Sequence, residues 1–202
     1  MGVLDNIAIG IHMLWSRLKV RAPLIRALKS LEKTQADVLM RILRDNNKTE
    51  FGKKYGLSEI SSVSEFRNLV PIHDYDDLEP YIKRQQEGHR SLTTEAPVYY
   101  PRTSGTTGSY KDIPLTESGI TQIKHFQKQL AYSLWSQTDF FKGTILGFSS
   151  PRFEGKLSNG IPYGSTSGAI YDSLSSLFKK KLAIPREAYD LNNVESKYEV
   201  YA

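Results

Sequence analysis

Cysteine is absent from the 202 residues. That excludes disulfides, thiolate metal sites and a cysteine nucleophile, and a reducing compartment is the simplest setting for such a chain. Histidine is scarce. His12, His73, His89 and His125 are the four present, and no two stand at H-x-x-x-H spacing, so a zinc site is not expected. No apolar run reaches the roughly 20 residues that span a bilayer. The segment 7–15 follows Asp5 rather than a basic stretch, which argues against a secretory signal. Charge of one sign is in only mild excess, 27 Lys and Arg against 22 Asp and Glu, for a net +5. The dense, aromatic-interleaved basic stripe of a nucleic-acid binder is missing, so no nucleic-acid partner is expected.

What is present describes a folded domain, with 39% hydrophobic and 24% charged residues. Residues 1–22 read as an amphipathic helix with Arg17, Lys19 and Arg21 at its polar end. Packing on its own domain is the simpler role for it, ahead of lying on a membrane surface. Residues 24–43 read as a second helix, because Leu24, Leu28, Leu31, Val38 and Ile42 recur at steps of three, four or seven on one face. Ser62 and Glu65 form a capping box ahead of a short helix that Pro71 ends. Asp74 caps another, which Pro80 is expected to kink or restart and Gly88 to stop. His73, just before it, is read as helping that cap. Residues 97–102 read as a strand and residues 111–115 as extended. Thr116 then caps a helix whose buried face is Ile120, Ile123, Phe126, Leu130 and Leu134. Residues 144–148 read as a further strand, and residues 149–168 as a loop or short strands joined by turns.

The segment that points to chemistry is Thr103-Ser104-Gly105-Thr106-Thr107-Gly108-Ser109-Tyr110-Lys111. Two glycines let the backbone turn where a Cβ would clash. Successive N–H groups can converge into an anion-binding concavity, hydroxyls add donors, and Lys111 adds a positive charge. The set suits a polyphosphate whose charge is neutralised while one phosphorus is attacked. It is neither a Walker A loop nor a G-x-G-x-x-G dinucleotide turn. On composition alone, a Gly/Thr-rich hairpin loop explains it equally well.

The run T-S-G-T-T-G-x-x-K resembles the phosphate-binding motif of adenylate-forming ligases. Within them, Lys111-Asp112-Ile113-Pro114 resembles the GH3 family of acyl-acid amido synthetases. So do Thr49-Glu50-Phe51-Gly52, Tyr55-Gly56, Phe66-Arg67, Val70-Pro71, Tyr75, the run from Leu78 to Ile82, Gly160-Ile161-Pro162 and Ser167-Gly168. The likeness runs from about residue 20 to the end. The spacing from Gly108 to Lys111 looks bacterial-type, one residue shorter than in many plant members. The resemblance implies an α/β fold: N-terminal helices followed by an incomplete nucleotide-binding domain of the adenylate-forming type, with residues 23–202 as its N-terminal part. It implies ATP and Mg²⁺ as cofactors; a cytoplasmic location is expected, in keeping with the absence of cysteine. Ser104, Gly105, Thr106, Thr107 and Gly108 would hold the β/γ-phosphates with Lys111 assisting. A carboxylic acid would be activated as an acyl-adenylate and passed to an amine or amino acid.

Two further family motifs, a Tyr-x-Ser-Ser/Thr-Glu type with a metal-binding Glu and a Tyr-Arg-x-Gly-Asp with a ribose-binding Asp, do not occur in this sequence. Tyr163-Gly164-Ser165-Thr166-Ser167 resembles the first but has Ser167 where Glu is needed. The lid domain is likewise not expected here, so no catalytic residue and no protein metal ligand is assigned. The chain alone is expected to be inactive. Two alternatives stand beside the amido synthetase: part of a thioester-forming acyl ligase, and a non-catalytic remnant that binds a partner or a membrane surface.

Overall fold

The computed structural model describes residues 3–103, 110–184, 186–189, 191 and 199. Helices dominate, accompanied by a small sheet, so the chain is α/β. It divides into two compact units.

One unit comprises residues 27–117 and 155–163. Helix α3 (Leu31–Asn46) leads through Thr49 into α4 (Glu50–Lys54). Helices α5 (Val63–Leu69) and α6 (Tyr75–Gln86) follow, each started by the residue expected. Ser62 Oγ accepts the Glu65 N–H at 3.1 Å, and the Glu65 carboxylate reaches back to the Ser61 N–H at 2.7 Å. Asp74 and Asp77 exchange side-chain and backbone bonds as a complete capping box. Such reciprocal caps satisfy donors that a helix start leaves orphaned. Helix α6 runs through Pro80 without a break, so the proline does not restart it. The core here is Leu43, Leu57 and Ile60, flanked by Leu39, Phe51, Tyr55 and Phe66.

Two readings change in this unit. The helix expected over residues 24–43 is two helices, α2 (Ala22–Leu28) and α3, separated at Ser30, whose backbone leaves the helical region at φ −137°, ψ 59°. Its apolar stripe is not the packed face, since Leu28, Leu31, Val38 and Ile42 are all exposed while Leu43 is buried. His73 is not a capping residue. Its Nε2 lies 2.8 Å from the Tyr55 hydroxyl, and its ring meets Phe51 edge-on.

The sheet has the order β2-β1-β4-β3, from β1 (Pro97–Arg102), β2 (Leu115–Thr116), β3 (Gly155–Lys156) and β4 (Pro162–Ser165). Buried Gln85 positions the entry to β1. Its Oε1 accepts the N–H groups of Leu92 and Thr93, and its Nε2 donates to Thr93. Tyr99 and Tyr100 of β1 are fully buried. Burial, with Asp112 adding repulsion, pushes the Tyr100 hydroxyl up to about 12. The neutral phenol is therefore favoured in the folded state. Stability from this group is whole below pH 10 and lost as pH rises through 12. An alkaline titration of unfolding should show a fall across that window, and Tyr100→Phe should flatten it.

The other unit comprises residues 1–26, 118–154 and 164–202. It holds α1 (Val3–Ser16), a π-helical turn over Arg17–Arg21, α7 (Glu117–Gln137), α8 (Thr166–Ser173), α9 (Ser176–Lys179) and α10 (Arg186–Tyr189). Ile9 and Met13 of α1 are buried with Phe141, packed by Ala131, Leu134 and Phe178. Among the described residues no helix is long and apolar enough to cross a membrane.

Two further readings are corrected. The face predicted for α7 is only partly covered, because Phe126 and Leu130 are exposed. The packed side is turned toward Ala131 and Leu134. Residues 144–148 form no strand. Ile145 makes a single parallel bridge to Leu182, with bonds of 2.7 and 2.9 Å to its flanking residues.

Candidate functional site

Strand β1 runs out at Arg102, and the chain returns at Lys111. The two arms are stitched by main-chain bonds, Thr103 N–H to Lys111 C=O at 3.1 Å and Ile113 N–H to Pro101 C=O at 3.0 Å. Ser104, Gly105, Thr106, Thr107 and Gly108, together with Ser109, lie outside the described residues. Lys111 is described. The site can therefore be built from its stem.

A side-chain clamp fastens that stem. Arg102 donates through Nε and Nη2 to the two oxygens of Asp112, at 2.8 and 3.0 Å. Such bidentate guanidinium–carboxylate pairs are among the stronger protein hydrogen bonds. Both side chains are mostly sheltered, at 20% and 15% exposure. Gln86 donates to the same carboxylate at 3.2 Å. The Arg102 guanidinium also lies 3.8 Å from the centre of the Tyr163 ring. Hydrogen bonding to Asp112 raises the Arg102 pKa further.

Tyr75, the first residue of α6, reaches the other side of the stem. Its hydroxyl accepts the Asp112 N–H at 3.0 Å and donates to the Asp112 carbonyl at 3.3 Å. Burial raises its pKa, so the group stays a neutral phenol. The Lys111 ammonium sits 5.0 Å from the centre of the Tyr75 ring. Among the described residues no carboxylate pairs with Lys111, since its neighbour Asp112 is committed to Arg102. The stem thus presents a cation whose charge is not neutralised locally.

Sequence reasoning identified Lys111 and the glycines but not Tyr75, Gln86, Arg102, Asp112 or Tyr163 as site residues. Tyr75 and Asp112 stand in the runs that carried the family resemblance, and that was their only signal. Among the described residues no group of three or more His, Asp and Glu could hold a metal ion.

The unit that holds α7 has its own concavity, a cavity of about 340 Å³. Leu130, Ala131, Leu134, Phe141, Ile145 and Phe178 supply apolar wall, and His12, Lys124 and Lys128 are its basic lining groups. This size and lining suit a small apolar ligand. Desolvation, then the charge of Lys128, lowers the His12 pKa.

The sequence profile of the GH3 family N-terminal domain matches residues 22–201. The chain belongs to the GH3 family. Indole-3-acetic acid-amido synthetase GH3.3 of Arabidopsis thaliana is 29% identical over 84% of this GH3 chain, which covers 30% of that relative. Jasmonoyl-L-amino acid synthetase JAR4 of Nicotiana attenuata is 29% identical over 76% of the chain, which covers 27% of it. The chain thus spans less than a third of either relative. Among solved structures, the AtGH3.15 acyl acid amido synthetase in complex with 2,4-DB matches 74% of the chain with a TM-score of 0.64 and 25% identity. That match takes in 27% of the solved chain.

Proposed function

We propose that this GH3 chain supplies the phosphate-binding loop of an ATP-dependent acyl-acid amido synthetase that activates a carboxylic acid, of which it forms an N-terminal part covering residues 23–202. The observation that carries the reading is the match of residues 22–201 to the GH3 N-terminal domain. The unneutralised Lys111 on a clamped stem adds support. In the reaction, a carboxylate attacks the α-phosphorus of ATP and releases pyrophosphate. An amine or amino acid then displaces AMP from the acyl-adenylate.

Ser104, Gly105, Thr106, Thr107 and Gly108 would donate N–H and hydroxyl hydrogens to the β/γ-phosphates, and Lys111 would supply positive charge beside them. That arrangement neutralises the leaving pyrophosphate while positioning does the remaining work. Mg²⁺, which the family resemblance implies, would arrive with the phosphates and offset their charge; the described residues supply no group of three or more His, Asp and Glu for it. Partners in this reading are small molecules rather than nucleic acid or a membrane surface. It carries a cytoplasmic location, where ATP is abundant. The short Gly108-to-Lys111 spacing supports a bacterial-type member.

Calorimetry with MgATP tests the loop. Replacing Thr106 and Thr107 by alanine should weaken binding about tenfold, as loss of hydrogen bonds to a charged group does. Unchanged affinity would remove the phosphate reading. Pyrophosphate exchange should be undetectable with the 202-residue chain alone, because it lacks the Glu and Asp motifs of the family.

A further inference from the structure

We infer that Tyr75 is a positioning residue for Lys111: its ring face holds the lysine ammonium in place while its hydroxyl holds the adjoining main chain. The inference rests on the phosphate-loop reading above and adds a residue to it.

A lysine side chain has four rotatable bonds and loses much freedom when ordered. A binding site gains when that ordering is done beforehand. A carboxylate would order Lys111 strongly, but it would also cancel the charge that a phosphate needs. An aromatic face holds a cation through its quadrupole and leaves the charge intact. Tyr75 has the geometry for that, with the ammonium 5.0 Å from its ring centre. The one carboxylate next in the chain, Asp112, is turned away into its pair with Arg102.

The Tyr75 hydroxyl completes the arrangement. It brackets the Asp112 N–H and C=O at 3.0 and 3.3 Å, which fixes the backbone from which Lys111 projects. Tyr75 itself is anchored as the first residue of a capped helix. The two ends of the tyrosine therefore act on consecutive residues, the ring on Lys111 and the hydroxyl on Asp112.

The test uses the whole 202-residue chain labelled with ¹³C-lysine. In the wild type, the ε-methylene protons of Lys111 should be shifted upfield by the ring current of Tyr75. Tyr75→Phe should keep that shift, and Tyr75→Leu should abolish it. In MgATP titrations, Tyr75→Leu and Lys111→Ala should each weaken binding by about tenfold, and the double variant should be no weaker than Lys111→Ala alone, the signature of two residues acting as one unit. Tyr75→Phe, which keeps the fold and the ring, should fall between wild type and Tyr75→Leu.

A wild-type spectrum without the upfield shift overturns the inference, even where Tyr75→Leu does not fold. Additive losses in the double variant also overturn it, because Tyr75 would then be acting through the fold at large. Absence of binding of both MgATP and inorganic pyrophosphate by the wild type, the latter needing neither the ribose-binding nor the metal-binding motif, overturns the phosphate-loop reading and this inference together. Binding with an additive cycle overturns the inference alone.

Discussion

Gly52→Ala is expected to cost about 3 kcal/mol or more, the upper range for forcing extra volume into packed structure. A Cβ at this position would strike the carbonyl oxygen of Asn46 and come within 2.8 Å of the carbonyl carbon and oxygen of Asn47. These are backbone atoms at the end of α3, and no rotamer change relieves them. The corner is also tied from within. Thr49 Oγ1 accepts the Gly52 N–H at 2.9 Å and donates to the Asn46 carbonyl at 2.7 Å. Thr49 is fully buried, so its two bonds are not exchanged for water. Moving Gly52 outward would break the cap, and leaving it in place would overlap the carbonyls. Urea unfolding of the variant should show a lower midpoint with an unchanged slope. A midpoint equal to wild type would mean that α4 can shift away at little cost.

Asp112→Ala is expected to be comparably severe, about 3 kcal/mol, because removing one partner of a sheltered pair strands the other charge. Arg102 would keep the face of Tyr163 but lose both carboxylate oxygens, and Gln86 Nε2 would lose an acceptor. The main-chain bonds from Asp112 to the Tyr75 hydroxyl would remain. The expected outcome is therefore a loosened stem on a folded chain. Amide exchange at Thr103 and Ile113 should accelerate, with thermal stability lowered. Asp112→Asn should recover part of the loss, since its carbonyl oxygen still accepts from Arg102. A variant with wild-type stability and unchanged exchange would show that main-chain bonds alone hold the stem.

The helix starts were legible because their code is local. Asp74 and Asp77 bond to backbone three residues away, Ser62 accepts from Glu65 three residues on, and Glu65 accepts from Ser61 four residues back, and such spacing survives in the sequence. Strand β1 was legible through its β-favouring Val98, Tyr99 and Tyr100. The break at Ser30 was not, since neither glycine nor proline marks it. The stripe of Leu28, Leu31, Val38 and Ile42 has helical period, but period states only that residues share a face. It does not say which face is covered. Ile145 misled for a related reason. A β-branched run favours extended backbone, yet the single bridge to Leu182 is all the pairing described for it.

The candidate site divides in the same way. Lys111 and the glycines before it were readable as a spaced motif. The clamp was not, because its members are brought together by the fold: Tyr75 and Asp112 lie 37 residues apart, and Tyr163 arrives on another strand. An Arg and an Asp separated by ten positions carry no pairing signal when a Gly-rich stretch of sequence lies between them.

Contributions from α6, β1 and β4 also order events in time. Contacts between residues distant in sequence form late, after the intervening loops have closed, and a growing chain emerges from the ribosome N-terminus first. Arg102 and Asp112 can pair soon after they emerge, but the aromatic face of Tyr163 is supplied only once β4 has been synthesised. The clamp on the stem would thus be completed in two stages during translation, and a ribosome-stalled chain ending before β4 would hold its guanidinium without the face of Tyr163.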